Sequence, residues 1–353
     1  MTVEAVRQNP RRQGFSETEL ERQGLTIETG APVTAALALG SSVAVGFGDG
    51  AVRFFRPHEP PIIVEAHSGP VLGLATDGTS NSVLTGGDDG RFLRVFQDGS
   101  LEEIANFGTR WVDCVAAAPG YFACSSGHSA HVWRAGDKTA KIFEHPSTVC
   151  GLAFDAKARR LAVAHYGGVT VWERRDRRWK SSKFVWKGSH GNVVFSPDSK
   201  YLVTAMQENA IHGWRLRDKV DMRMSGYPSK VKSFAWVGDA PYLATSGADE
   251  AICWPFDGKD GPMGRPPETC AYGGKQLCTA VMGLVGLDGV FAGFADGSVL
   301  TGFLSSDEAS EHYVVKGSSE SPVVALALSS DSWLFVGEES GRVLWVQLGK
   351  DVE

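Results

Sequence analysis

The chain has 353 residues, with 35 Lys and Arg against 41 Asp and Glu for a formal net charge of −6, and 42% of it is hydrophobic. This is an ordinary globular balance with ample length for a buried core, and its acidic sum argues against general nucleic-acid binding. No apolar run approaches the ~18 residues of a membrane span. The polar opening MTVEAVRQNPRRQGFSETELERQ lacks the apolar core of a secretory signal, so residues 1–22 read as a polar extension of a cytoplasmic protein.

Past that extension, LTIET at 25–29 is a strand with no neighbours of its own in sequence. A unit follows: VTAALAL, SVAVGF, a Gly48–Gly50 turn, then AVRFF. It is a small-residue segment, a second apolar segment, a tight turn, and a third segment ending in an aromatic. The order recurs as VLGLAT/SVLTGG/RFLRVF, VDCVAAA/YFACSS/AHVW, VCGLAF/RLAVAH/VTVW, NVVF/YLVTAM/AIHGW, VKSFAW/YLATSG/AICW, CTAVMGL/VFAGF/SVLTGF and VVALAL/WLFVGE/RVLWVQL. That makes eight repeats, with first segments from residue 33 to residue 323 at a mean step of about 41. Between them lie more polar fourth strands: PIIVE at 61–65, LEEIANF at 101–107, KIFEH at 141–145 and HYVVK at 312–316.

Four antiparallel strands per ~40 residues is the period of a β-propeller blade. The expected fold is all-β: one closed propeller domain over 23–350, most simply of eight blades, alternatively seven. LTIET would supply the outer strand of the last blade and so close it. Phe55, Phe96, Trp133, Trp172, Trp214, Trp254, Phe303 and Trp345 end the third strands and should pack between blades. The six cysteines form no Cys-x-x-Cys pair and read as small apolar residues in a reducing compartment. PFDGKDGPMGRPPETC at 255–270 reads as a rigid exposed loop, its Pro and Gly content speaking against strand.

The second repeat, AHSGPVLGLATDGTSNSVLTGGDDGRFLRVF, resembles the WD-repeat β-propellers. His67 stands where that family has a histidine, Asp89 where it has a turn aspartate, and Phe96 replaces its tryptophan. Asp49, Asp249 and Asp296 match the turn acid in other repeats. With His67 and Asp89, these are expected structural turn residues. No repeat carries the Trp-Asp dipeptide. The resemblance implies a scaffold and no particular chemistry.

Catalytic signatures are missing from the sequence. There is no Gly-x-Ser-x-Gly elbow, no phosphate-binding loop and no His-Glu-x-x-His. A non-enzyme without a cofactor is expected. In an up-and-down blade, the loops sort onto two ends. One end gathers the turn acids with His128, His145, His165 and His190. Those four are candidate ligands for zinc or a similar ion, and metal homeostasis is the alternative function. The other end gathers bases. Residues 134–223 hold 18 Lys and Arg but 9 Asp and Glu, so the window is +9 and the remainder −15. Arg159, Arg160, Arg174, Arg175, Arg177, Arg178, Trp179 and Lys180 are the candidate partner-binding residues there. The leading expectation is a monomeric adaptor that binds other proteins with acidic surfaces, with nucleic acid the weaker candidate and no membrane.

Overall fold

The computed structural model describes residues 14–176, 178–239, 241–284, 286–304 and 312–349. Beyond one short helix, Glu19–Gln23, it is built of antiparallel strands. The chain packs as two compact units. One holds the described residues up to 43, residues 55–60 and those from 227 onward; the other holds 44–54 and 61–226.

In the first unit, the strands Phe234–Val237, Tyr242–Thr245, Ala251–Pro255 and Glu268–Cys270 form one sheet. Cys278–Gly283, Gly289–Phe294, Val299–Phe303 and His312–Lys316 form a second. In a third, Val323–Leu328, Trp333–Glu338 and Arg342–Gln347 are completed by Leu25–Glu28, with Leu25 opposite Trp345 and Glu28 opposite Arg342. The N-terminal strand therefore closes the last sheet, as its isolation in sequence suggested. In the second unit, Val71–Thr76, Ser82–Gly87, Arg91–Phe96 and Leu101–Asn106 form one sheet. Val115–Ala118, Tyr121–Ser126, Ser129–Arg134 and Lys141–Glu144 form the next. The first repeat is a sheet of Val33–Leu39, Ser42–Phe47, Ala51–Phe55 and Ile62–Glu65.

The fourth and fifth repeats do not separate. Strands Gly151–Phe154, Arg160–Arg175, Arg178–Phe195, Tyr201–Met206, Ala210–Arg215 and Asp221–Ser225 are hydrogen-bonded in one sheet. The expectation of eight separate blades is thus corrected. The fold is a β-propeller of seven sheets, the alternative number, and one sheet carries two repeats. The physical reason lies in the connections. Arg160–Arg175 bends on itself at Gly167 and Gly168, both at left-handed φ (88° and 133°), without leaving extended pairing. The Arg174 N–H donates to Arg159 O across that bend at 2.8 Å. Tyr166 pairs with Ser189, and Arg178–Phe195 runs unbroken from the outer strand of one repeat into the inner strand of the next. A Cβ on Gly168 would strike Phe184 O, so only glycine fits this close crossing.

The second strand of each repeat is the most deeply buried. Ser42–Phe47, Ser82–Gly87, Tyr201–Met206, Gly289–Phe294 and Trp333–Glu338 are buried throughout. Small residues appear where repeats approach one another. A Cβ on Gly86 would meet Val112 O, and one on Gly293 would meet the Val323 side chain. Several of the aromatics that end third strands reach a neighbouring repeat, whereas the rings beside Trp345 belong to its own. Trp172 of the fourth stacks on Phe143 of the third at 4.1 Å, and Phe55 of the first lies 5.5 Å from Phe335 of the last. The stretch 255–270 is a loop only in part, because Glu268–Cys270 pairs with Ala251–Pro255 as an outer strand.

Candidate functional site

The expected basic surface lies in the second unit, on the loops that join first to second and third to fourth strands. In the fourth repeat the first of these loops is organised by Asp155, a buried side chain. Its Oδ1 accepts the N–H of Arg159 at 2.7 Å and of Arg160 at 3.1 Å. That leaves Ala158 at a left-handed φ of 50° and turns Lys157 and Arg159 outward. The fifth repeat uses the same device. Ser196 Oγ donates to Asp198 Oδ1 at 2.7 Å and accepts the Tyr201 N–H at 2.9 Å.

The other loop is the tip of a hairpin in which Arg174 faces Trp179, Arg175 faces Arg178 and Glu173 faces Lys180. Arg177 lies outside the described residues. Arg175 is bound by Glu173 at 2.8 Å. Arg178 and Lys180 are exposed and, with Arg159 and Lys157, carry no ion pair among the described residues. Two guanidinium groups directly opposed on a hairpin cost stability, by a few tenths of a kcal/mol up to ~1. The basic row is therefore not explained by local folding.

Three of the candidates are structural in part. The Arg174 guanidinium lies over the Tyr121 ring at 5.0 Å. Arg160 Nη1 donates to Ser199 O at 3.2 Å, tying the fourth repeat to the fifth. Trp179 is half-buried against Phe143 (5.4 Å) and Tyr121 (6.2 Å), so its ring packs between repeats and does not stand among the bases. Sequence alone missed Tyr121 and Asp155. The spacing Asp155–Arg160 beside Ser196–Tyr201 was the available signal.

The four histidines are not brought together. Among the described residues, no three His, Cys, Asp or Glu side chains are placed to share a metal ion. Each ring is used locally. His128 Nε2 meets Glu144 at 2.9 Å on the surface. His145 Nε2 accepts the Trp172 indole N–H at 3.1 Å. His165 Nε2 meets Thr170 Oγ1 at 3.0 Å and its Nδ1 meets Tyr166 O at 2.8 Å. His190 Nδ1 meets Thr204 Oγ1 at 2.8 Å and its Nε2 meets Trp186 O at 3.2 Å. Only His145 and His165 are close, their ring centroids 5.6 Å apart. The expected four-histidine metal site is corrected accordingly: the rings face separate local partners, His145 Nδ1 is left without one, and no three-ligand group forms among the described residues.

The turn residues are placed as follows. His67 Nδ1 meets Asp89 Oδ1 and its Nε2 meets Thr85 Oγ1, both at 2.9 Å. Asp89 also accepts the Ser68 and Arg91 N–H groups at 3.1 Å. Burial opposes ionisation of Asp89, yet these donors hold its carboxyl below the usual range. Asp49 accepts the Ala51 N–H at 3.1 Å and pairs with Arg53. Asp296 accepts the Ser298 N–H at 3.1 Å and the Ser318 hydroxyl at 2.6 Å. Asp249 acts through its backbone, accepting the Gly273 N–H at 2.8 Å.

No protein-family model matches the chain. No curated protein matches it either. Among solved structures it is similar to the crystal structure of the computationally designed Ika8 protein, at TM-score 0.71 and 17% identity. That similarity spans 92% of this chain and 98% of the other. At such identity it shows the fold alone. No helix among the described residues is long and apolar enough to cross a membrane.

Proposed function

We propose that this protein is a non-catalytic interaction scaffold that holds an acidic surface of a partner protein on its fourth and fifth repeats. One observation carries the reading: Lys157, Arg159, Arg178 and Lys180 project without ion pairs from loops that Asp155 and a paired hairpin hold fixed. Unpaired charges on a fixed backbone meet a partner at little cost in ordering. The reading includes a cytoplasmic location and action as a monomer. The His67–Asp89 hydrogen bond joins the two residues that carry the WD-repeat resemblance, which supports kinship with those propellers.

The test is affinity capture from the native host with Arg159→Glu, Arg175→Glu and Arg178→Glu combined. An acidic partner retained by the unaltered chain should fall at least tenfold, and its capture should weaken steeply with salt. A partner set identical in the two chains removes the basic surface from the account.

A further inference from the structure

The sheet of the sixth repeat holds a second feature, independent of the basic surface. We propose that Cys253 and Cys270 are an oxidation site, a dithiol that hydrogen peroxide converts to a disulfide across the outer edge of that sheet. Their Sγ atoms stand 3.4 Å apart, close enough to contact but not bonded. The register explains the approach. Ala251 faces Cys270 and Cys253 faces Glu268, so the two cysteines are diagonal neighbours on one face of the ladder. Both are buried, at 0% and 1% exposure, among Val237, Ala244, Phe294 and Leu300.

Cys270 ends a strand of three residues, the outermost of its sheet, which follows the long connection 256–267. A short edge strand opens locally at far less cost than a central one. In the closed form the Cys270 contact and burial push the Cys253 thiol up. Opening of the edge exposes Cys270 to water and to peroxide, and the thiolate is the form that reacts. Its thiolate attacks peroxide, the O–O bond breaks, and Cys270 becomes a sulfenic acid as one water leaves. Reclosure brings Cys253 against that sulfur. Its sulfur displaces the hydroxyl, its proton completes a second water, and the S–S bond forms. Two thiols give up two electrons and one peroxide becomes two waters. The product staples both ends of the 256–267 connection to the sheet.

The experiment uses the full chain, exposed to hydrogen peroxide at native conditions, then unfolded, alkylated and mapped by mass spectrometry. The expected result is loss of two of the six alkylatable thiols. Mapping should show one cross-linked peptide joining 253 to 270, lost on reduction with dithiothreitol. Cys278 lies in the same core, and Cys278→Ala should leave the cross-link in place. Cys270→Ala should abolish it. Six thiols still alkylatable, loss only to sulfinic or sulfonic acid, or a cross-link through Cys278 would each overturn the proposal. Mapping of the unaltered chain decides it even if a variant fails to fold.

Discussion

His212 is the clearest case of a residue whose chemistry is set by its surroundings. Its ring is stacked on Trp186 at 4.1 Å, and neither ring nitrogen has a hydrogen-bond partner. Asp221 Oδ2 stands 3.5 Å away, near but not bonded. Burial, then His190 and Arg223, push the imidazole down to about 3. Burial and His165 likewise push His145 down to about 4. An unfolded chain would take up these protons near pH 6.5. Above that value both states leave the rings neutral and the full stability is present. As pH falls below 6.5 only the unfolded chain gains protons, so stability declines until the folded values are reached. The urea midpoint should therefore drop steadily from pH 7 to pH 5, and His212→Phe should make the drop shallower. An unchanged slope in that variant would show that the ring does not contribute. At His67 the buried ring depends on its hydrogen-bond partners. Thr85→Val leaves Nε2 without its partner in a buried site. We expect a loss of about 1–3 kcal/mol in denaturant unfolding.

The element that most depends on a few groups is the helix Glu19–Gln23. Thr18 caps it, accepting the Glu21 N–H at 3.0 Å, and its hydroxyl donates to Val315 O at 2.8 Å. Glu21 is buried and accepts the Gly317 N–H at 3.0 Å. Beneath it lies Lys316, whose Nζ reaches Glu338 at 3.0 Å and Glu21 at 3.9 Å. The ammonium also donates to Gly297 O and Ser319 Oγ, each at 2.9 Å. Three charges are thus held out of water by mutual pairing. Removing one leaves the others uncompensated, which costs about 3–5 kcal/mol. Lys316→Met should lower the unfolding free energy by that order, and adding Glu338→Leu should recover part of it. A double variant no better than the single one would mean that packing, not charge, dominates this contact.

For the whole molecule the deciding property is how charge is spread. The chain is acidic in sum, yet the window 134–223 is +9. Long-range attraction from such a patch raises association rates more than it deepens affinity. Neutralising Lys157 and Lys180 with glutamine should slow capture of an acidic partner several-fold while changing its dissociation rate much less. Surface plasmon resonance at two salt concentrations would separate the two. Equal association rates for both chains would place recognition elsewhere.

Sequence by itself determined the repeat, its four-strand content and the closing role of Leu25–Glu28. Alternating burial and turn glycines are local, and a period of about 41 residues imposes them wherever the chain folds. It also determined that bases collect in the third to fifth repeats, since the loops alternate between ends of a blade. Tertiary structure decided the rest. Whether the fourth and fifth repeats separate depended on the unbroken strand Arg178–Phe195 and the Tyr166–Ser189 pairing, a matter of register that composition does not encode. That Trp179 turns inward against Tyr121, and that the four histidines face separate partners, depended on which neighbours arrive in the folded chain. The meeting of Cys253 and Cys270, 17 residues apart, was likewise set by strand register. Such contacts follow from side-chain packing between strands, and period alone leaves them open.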